Sequence, residues 1–275
     1  MPLVPAHVQQ VVNSTWMLHR MAPNGDLTMW SSCMASWTKL LDRGDRALGW
    51  HRSWEQRIWH DDDLAPLLHS ILPQHADRIM AMRAPVERND MARYAILYRY
   101  GGVYADLDMK LLRSSLFSHA ASGQHITLPF EKGRLVGQSI MLAPAPQHPF
   151  WMKLIDWLVE HYDPACYEPL NTGPDAVTIF WNTVCTEWST SVIVADGFMT
   201  GKTTYHMATG SWTRVGDSVQ HRIRSVTACP HKTFAHYDLA KCGTPRSLVA
   251  GDHEHGAVTQ SRSRNKTTQT GTHVM

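Results

Sequence analysis

The sequence lacks the features that would place it at once in a membrane, secreted or nucleic-acid-binding class. No stretch reaches the roughly 18 apolar residues of a membrane span, and no basic region followed by an apolar one marks a signal peptide. Charge is nearly balanced, with 26 Lys and Arg against 24 Asp and Glu, so no basic footprint for nucleic acid is present. We expect a soluble cytoplasmic location by default, membrane association or the secretory pathway as the alternative, and no nucleic-acid partner.

Cysteine is scarce, and its spacing shows no recognisable pattern. The five cysteines include no CxxC pair, and an odd number does not suggest a disulfide framework. The sequence therefore predicts reduced thiols and no structural zinc site. These residues are Cys33, Cys166, Cys185, Cys229 and Cys242.

Length and composition predict one folded domain with a polar tail. The chain has 275 residues, of which 43% are hydrophobic, so it can bury a sizeable core. We expect a single domain over residues 1–250. Residues 251–275 are polar and almost free of large apolar side chains, which predicts disorder because little surface is available to bury.

Strand and helix periodicities alternate along most of the chain. Strands are predicted at Val8–Ser14, Val103–Leu107, Ile126–Leu128, Ser139–Ala143, Gln220–Val226 and Thr233–Tyr237. Helices are predicted at Trp30–Leu41, after the acidic cluster Asp61–Asp63, at Ala76–Met82, Val86–Tyr100 and His148–His161, and from Pro174. The helix Val86–Tyr100 is expected to be amphipathic and to stop at Gly101 and Gly102. Alternating elements with short connections predict an α/β fold with a mostly parallel central sheet flanked by helices.

Asp106 and Asp108 are the residues that point most directly to chemistry. They are one residue apart at the end of the predicted strand Val103–Leu107, so period-two alternation predicts that both carboxylates face the same side. Two convergent carboxylates suit Mg²⁺ or Mn²⁺, whose remaining positions bind phosphate oxygens and water. An Asp-x-Asp pair alone is a weak signal, but the carboxyl end of a strand is where open α/β sheets bind ligands.

Asp90 and Arg93 lie three residues apart on the preceding helix and therefore share one face. One interpretation is an ordinary ion pair within the helix. The other is that both residues contact a bound sugar, with Asp90 accepting from hydroxyls and Arg93 donating to hydroxyl or phosphate. The two residues alone leave both interpretations open.

The segment that contains these four residues resembles the core motif of the DXD-containing sugar transferases of glycosyltransferase family 32. The motif combines an acidic residue, Arg-Tyr, Leu-Tyr, Gly-Gly, an aromatic residue and Asp-x-Asp. This chain supplies it in order as Asp90, Arg93, Tyr94, Leu97, Tyr98, Gly101, Gly102, Tyr104, Asp106 and Asp108. The similarity extends from Val8 to Phe180 through VQQVVNSTW, ASWTKL, RIWHDDDL, SIMLAPAPQHPF and NTGP.

The resemblance implies a fold of the GT-A type, in which one α/β domain binds a nucleotide sugar. The implied donor-binding residues are Asp90, Arg93, Tyr104, Asp106 and Trp16. Of these, Asp90 and Arg93 would hold the sugar, Tyr104 would lie next to it, and Trp16 would stack on the base.

The resemblance also implies catalytic roles for Arg93, Asp106 and Asp108 and a bound Mn²⁺ or Mg²⁺. Asp108 is the expected direct metal ligand, with Asp106 next to it. Relatives often complete the metal shell with a histidine near the carboxyl end of the domain. His236 is the first candidate for that residue here and His231 the second.

By this resemblance we expect a metal-dependent hexosyltransferase that retains anomeric configuration. GDP-mannose is the first expected donor and UDP-hexoses are next, because SIMLAPAPQHPF and NTGP are most similar to mannosyl- and inositolphosphoceramide-type members. The acceptor is expected to be a glycan, a lipid or a protein, with peripheral membrane association as one route to a lipid.

Two other functions fit parts of the sequence. A protein of the same fold that binds nucleotide sugar with little or no turnover fits the absence of a Ser-Trp element after His236. A phosphatase of the haloacid-dehalogenase type also places Asp-x-Asp after a strand. However, Lys110 and the GGVYA segment before the motif fit that class poorly.

Overall fold

The computed structural model of the chain describes residues 6–11, 28–47, 54–113, 116, 124–166, 168–198, 204–206 and 236–247. Trp16, His231, the strand predicted at Gln220–Val226 and the tail 251–275 lie outside these residues. Of the strand predicted at Thr233–Tyr237, residues 236–237 are described and are not in a strand.

The described residues contain ten strands in two sheets. They are β1 (Ala6–Val11), β2 (Trp54–Trp59), β3 (Gly102–Ala105), β4 (Met109–Leu111), β5 (Ile126–Glu131), β6 (Leu135–Val136), β7 (Ile140–Ala143), β8 (Val192–Asp196), β9 (Thr204–His206) and β10 (Arg246–Ser247). Seven strands follow the order β10-β8-β5-β7-β3-β1-β2, and β6 pairs with β5. β4 and β9 form a separate antiparallel pair.

The large sheet is mostly parallel, which confirms the prediction. β1 is parallel to β2 and β3, and β8 is parallel to β5 and β10. β7 is antiparallel to both of its neighbours, β3 and β5. The chain between β5 and β7 is shorter than the crossover of about a dozen residues that a parallel pair needs, so β7 must run in reverse.

Helices flank this sheet, also as predicted. They are α1 (Thr28–Ala47), α2 (Asp61–Ile71), α3 (Ala76–Met80), α4 (Pro85–Tyr100), α5 (Pro149–Glu160), α6 (Glu168–Asn171), α7 (Pro174–Trp188) and α8 (Leu239–Cys242). At the start of α2, the Asp63 carboxylate accepts a hydrogen bond from the His60 backbone N–H at 2.8 Å. In the described part of the chain, no helix is both long and apolar enough to cross a membrane.

Helix α4 is buried almost all around, which corrects the expectation of an amphipathic helix. Every residue from Asn89 to Leu97 is buried, including Asp90 and Arg93. The reason is its position, because α4 contacts β1, β3 and β7 on the sheet as well as α2, α3, α5 and α6. The helix ends at Gly101, whose φ of +65° favours glycine and where a side chain would lie 3.1 Å from backbone atoms.

Strand β3 is an interior strand of the sheet and has apolar packing on both faces. Tyr104 belongs to the larger core cluster, whereas Val103 and Ala105 belong to a second one. Since neighbouring side chains of a strand point to opposite faces, the two clusters lie on opposite faces of β3. On the second face, the Trp37 indole N–H of α1 donates to the Met109 carbonyl at 2.8 Å.

The prediction that the cysteines are reduced is wrong for part of the chain. Cys185 of α7 and Cys242 of α8 form a disulfide across a sequence separation of 57 residues. Cys166 is also disulfide-bonded, and Cys33 is a buried free thiol. Spacing gave no sign of the Cys185–Cys242 bond because the packing of α8 on α7 brings its two residues together.

We predict that Cys185→Ala and Cys242→Ala each lower the free energy of unfolding by about 2–4 kcal/mol, because the bond restricts the unfolded chain. Both changes remove the same bond, so the double variant should lose little more than either single variant. Urea unfolding of the oxidised proteins measures these differences. Cys33→Ala is the matched control for loss of buried sulfur, and losses no larger than in this control would contradict the prediction.

Candidate functional site

The Asp-x-Asp motif forms a reverse turn between β3 and β4. β3 ends at Ala105, and the Met109 backbone N–H donates to the Asp106 carbonyl at 2.9 Å. The prediction that the strand continues to Leu107, with both carboxylates on one side by period-two alternation, is therefore wrong. The turn itself places Asp106 and Asp108 at the carboxyl end of β3.

Asp106 is held in place by two side chains and by its own backbone. Its Oδ1 accepts from Arg93 Nη1 at 2.9 Å and from the Tyr104 hydroxyl at 2.8 Å. Its backbone N–H donates to the Ser139 carbonyl at 2.8 Å. The side chain is nevertheless 26% exposed. This carboxylate is therefore fixed in orientation and still reachable from solvent.

Arg93 connects the motif turn to the interior of the protein. Nη2 forms a 2.7 Å ion pair with Asp90, and Nη1 also donates to the Gln138 carbonyl at 3.2 Å. The guanidinium carbon lies 4.9 Å from the centre of the Tyr104 ring. Burial lowers the pKa of Arg93, but Asp106, Tyr104 and Asp90 together raise it above its usual value. Arg93 therefore stays charged although it is only 3% exposed.

Asp90 is buried and bound by protein groups on both carboxylate oxygens. Besides Arg93, Gln138 Nε2 donates to Oδ1 at 2.9 Å and the Thr172 hydroxyl donates to Oδ2 at 2.9 Å. Burial raises the pKa of Asp90 to about 6, and Arg93 and Thr172 only partly oppose this. The ion pair within the helix is thus present. Sugar contacts by Asp90 and Arg93 stay a prediction.

Gln138 and Thr172 complete this network and are residues that sequence reasoning missed. The Gln138 side chain bridges Asp90 and the Tyr94 hydroxyl, and that hydroxyl also contacts the Thr172 carbonyl at 2.9 Å. Thr172 belongs to the NTGP segment, which is part of the family resemblance, so the sequence did contain an indication of this residue. Gln138 lies between β6 and β7 in no recognisable motif, and only the fold reveals its position.

Asp108 lies on the same turn, beside α1. It is 9% exposed. Burial and then Asp108 raise the pKa of Cys33 to about 11, while Lys110 acts in the opposite direction. The Cys33 thiol therefore remains protonated near neutral pH. The two motif carboxylates thus have different surroundings, with Asp106 next to cationic Arg93 and Asp108 next to a neutral thiol.

The donor set of the turn fits a hard divalent cation. Asp106 and Asp108 supply the carboxylate oxygens that Mg²⁺ and Mn²⁺ prefer. Among the described residues, no three His, Cys, Asp or Glu side chains are grouped to hold a metal ion. Two acids on a partly exposed turn suit an ion that takes its other ligands from diphosphate oxygens and water.

His236, predicted as a further metal ligand, is exposed, and its backbone contacts the middle of α7. Its carbonyl accepts from Asn182 Nδ2 at 2.8 Å, and its charge acts on Asp175. Its role in a metal shell stays a prediction, as do the roles of Trp16 and His231 outside the described residues.

Comparison with known proteins agrees with the motif. Residues 5–126 match the family described as glycosyltransferase sugar-binding region containing DXD motif. Two mannosyl phosphorylinositol ceramide synthases of Saccharomyces cerevisiae are 27% and 29% identical over 143 and 144 residues. An inositol phosphoceramide mannosyltransferase of Schizosaccharomyces pombe is 26% identical over 137 residues. These alignments cover 48%, 50% and 48% of this chain and 35%, 36% and 37% of the relatives.

Among solved structures, the PaToxG glycosyltransferase aligns with a TM-score of 0.36 and 14% identity, over 67% of this chain and 69% of that one. The motif and the sequence matches make residues 5–126 similar to the DXD-containing glycosyltransferases. The matched region spans about a third of the length of these curated relatives.

We predict that Asp90 makes stability fall as the pH rises through about 6. Its pKa is about 6 in the folded chain against an ordinary value of 3.8, so the folded state binds this proton more readily. Asp90 therefore favours folding most below pH 3.8, and this contribution disappears as the pH rises through about 6. Asp90→Asn should remove that part of the pH dependence of the unfolding free energy, whereas Asp62→Asn at an exposed site should retain it. If the unfolding free energy changes with pH in the same way in the wild type and in Asp90→Asn, the raised pKa does not belong to Asp90.

We also predict that Gln138→Leu lowers the free energy of unfolding by about 1–3 kcal/mol, because it leaves buried Asp90 and Tyr94 groups without their partner. Urea unfolding measures the loss. Gln124→Leu, at an exposed position, is the matched control. If both variants are equally stable, Gln138 does not hold the network together.

Proposed function

We propose that the chain is a metal-dependent hexosyltransferase with a GT-A type fold, acting on a nucleotide-sugar donor with retention of configuration. The observation that supports this most is the Asp106 carboxylate, which Arg93 and Tyr104 orient on a turn where it is still 26% exposed. Catalysis by fixed charges requires groups that are oriented before the substrate arrives. A carboxylate held in this way meets that requirement.

GDP-mannose is the proposed donor, with UDP-hexoses as the next candidates. The three similar fungal proteins are named as synthases of a mannosyl lipid or as a mannosyltransferase, and this supports mannose. Their names also specify phosphorylinositol ceramide or inositol phosphoceramide. A lipid head group is therefore the first proposed acceptor and a glycan the second, with peripheral membrane association as the route to a lipid.

The proposed mechanism rests on positioning and electrostatics. Glycosyltransferases with this motif generally use a divalent metal ion, which neutralises charge on the departing diphosphate. Arg93 pairs with Asp106 and orients it, and Asp90 pairs with the second side of the guanidinium. The acceptor hydroxyl attacks from the face that the diphosphate leaves, and the leaving phosphate takes its proton. This geometry retains the anomeric configuration.

Binding of a nucleotide sugar without turnover is the second candidate function. It is favoured by one observation, that Asp90 and Arg93 are only 2% and 3% exposed and contact each other. A site in which these groups never reach the sugar would hold a nucleotide without activating the sugar.

We predict that transfer of labelled mannose from GDP-mannose with Mn²⁺ falls by about 100-fold or more in Asp106→Asn and Asp108→Asn, because the loss of a carboxylate weakens charge stabilisation worth several kcal/mol. Asp62→Asn makes the same change on the exposed start of α2 and should remain active.

Three results discriminate between the candidates. Transfer that depends on Asp108, with retained configuration in the product by NMR, supports the enzyme. Donor binding by the wild type without transfer or hydrolysis supports the binding protein. No binding of any nucleotide sugar, tested as a thermal shift with and without Mn²⁺, refutes both.

A further inference from the structure

Glu131, the last residue of β5, carries a buried carboxyl group at the edge of the sheet where the Asp-x-Asp turn lies. β7 runs antiparallel to both β3 and β5, so β3 and β5 end at the same edge. Glu131 is only 7% exposed. A buried polar group costs free energy unless it is hydrogen-bonded, so the partners of Glu131 show what this residue does.

The partner of Glu131 is Ser139, the residue just before β7. The Ser139 hydroxyl donates to Glu131 Oε1 at 2.6 Å, and the Ser139 backbone N–H donates to the same oxygen at 3.4 Å. Ser139 is itself 5% exposed. Hydrogen bonds are stronger in the protein interior than in water, so Glu131 restrains both the side chain and the backbone of Ser139.

Gly137 provides the space that the Glu131 carboxyl group occupies. A side-chain carbon at Gly137 would lie 2.0 Å from both Cδ and Oε1 of Glu131. The Gly137 backbone is held in place, because its N–H donates to the Pro129 carbonyl at 2.7 Å. Glu131 can therefore reach Ser139 only if residue 137 has no side chain.

The same segment before β7 contacts all three charged groups of the candidate site. The Ser139 carbonyl accepts from the Asp106 N–H at 2.8 Å. The Gln138 carbonyl accepts from Arg93 Nη1 at 3.2 Å, and the Gln138 side chain donates to Asp90 at 2.9 Å. A shift of this segment would therefore move the groups that orient the Asp-x-Asp turn.

We propose that Glu131 is a positioning residue for sugar transfer, which holds the Asp106 turn through Ser139. The contacts run from Glu131 Oε1 to the Ser139 hydroxyl, and from the Ser139 carbonyl to the Asp106 N–H. Catalysis by fixed charges needs groups whose orientation is set before the substrate binds. This inference rests on the proposed function, because it assigns Glu131 to that reaction.

Amide hydrogen exchange of the full chain, measured by NMR, tests the contact without any substrate. In Glu131→Ala the Asp106 amide should exchange about tenfold faster or more, because its acceptor is no longer held. Glu131→Gln should exchange as the wild type does, since its side-chain oxygen still accepts from Ser139. The Tyr104 amide in β3 is the internal control and should keep its rate. An unchanged Asp106 amide in Glu131→Ala, or equal acceleration at Tyr104, overturns the proposal.

Gly137→Ala displaces the Glu131 carboxyl group without removing it. The added methyl group meets the far end of a flexible side chain, which can move aside, so this variant should fold. Its Asp106 amide should exchange faster than in the wild type. Combining Gly137→Ala with Glu131→Ala should add little to Glu131→Ala alone, because both changes remove one contact. Additive effects mean that the two residues act separately, and they overturn the proposal.

Transfer of mannose from GDP-mannose with Mn²⁺ measures the consequence for the reaction. We expect kcat to fall by about tenfold or more in Glu131→Ala and Gly137→Ala, with the donor KM changed by less than about threefold, because Glu131 acts on orientation rather than on donor binding. Glu131→Gln should restore kcat, and a failure to do so overturns the positioning role. Glu160→Ala, at the exposed end of α5, is the matched control and should transfer at the wild-type rate.

The two proposals fail in different ways. If the wild type transfers no sugar but the Asp106 amide responds to Glu131→Ala and not to Glu131→Gln, the proposed function fails although Glu131 does hold the turn. If the wild type transfers sugar and Glu131→Ala keeps its kcat, the positioning role is overturned and the proposed function stands.

Discussion

The candidate site depends on one buried cation, the Arg93 guanidinium. It binds Asp90 on its own helix and Asp106 on the motif turn, at 2.7 Å and 2.9 Å. Removing such charges from water costs free energy that their attraction offsets only if the remaining donors and acceptors are also paired. Gln138 and Thr172 supply that pairing for Asp90, and the Tyr104 hydroxyl supplies it for Asp106. The pairing is incomplete at Arg93 itself, whose buried Nε has no hydrogen-bond partner among the described residues.

The fold brings these groups together in two steps. Helix α4 leads through Gly101 directly into β3, so Arg93 and the turn after β3 lie at the same end of the sheet. The segment before the reversed strand β7 then lies beside the Asp-x-Asp turn. There the Ser139 carbonyl accepts a hydrogen bond from the Asp106 N–H. The short connection between β5 and β7 thus helps to build the candidate site, because it places Gln138 where its side-chain amide donates to Asp90.

Some elements were not predictable from local pattern. β2 carries the polar run Glu55, Gln56 and Arg57, so its apolar alternation is weak. The Asp-x-Asp residues look like a continued strand, but the hydrogen bond from Met109 to Asp106 closes a turn. Burial of α4 on all sides depends on which helices cover it. Each of these features is decided by partners distant in sequence rather than by neighbouring residues.

The sequence by itself determined the alternation of strands and helices, the helix that ends at Gly101, and the family motif from Asp90 to Asp108. These features depend on residues within a few positions of one another, which a pattern records directly. The tertiary structure decided which charges are buried, which are paired, and which cysteines meet. Asp90 and Thr172 are 82 residues apart and Arg93 and Gln138 are 45 apart. Desolvation and pairing are set by such contacts, and they exist only once the chain has folded.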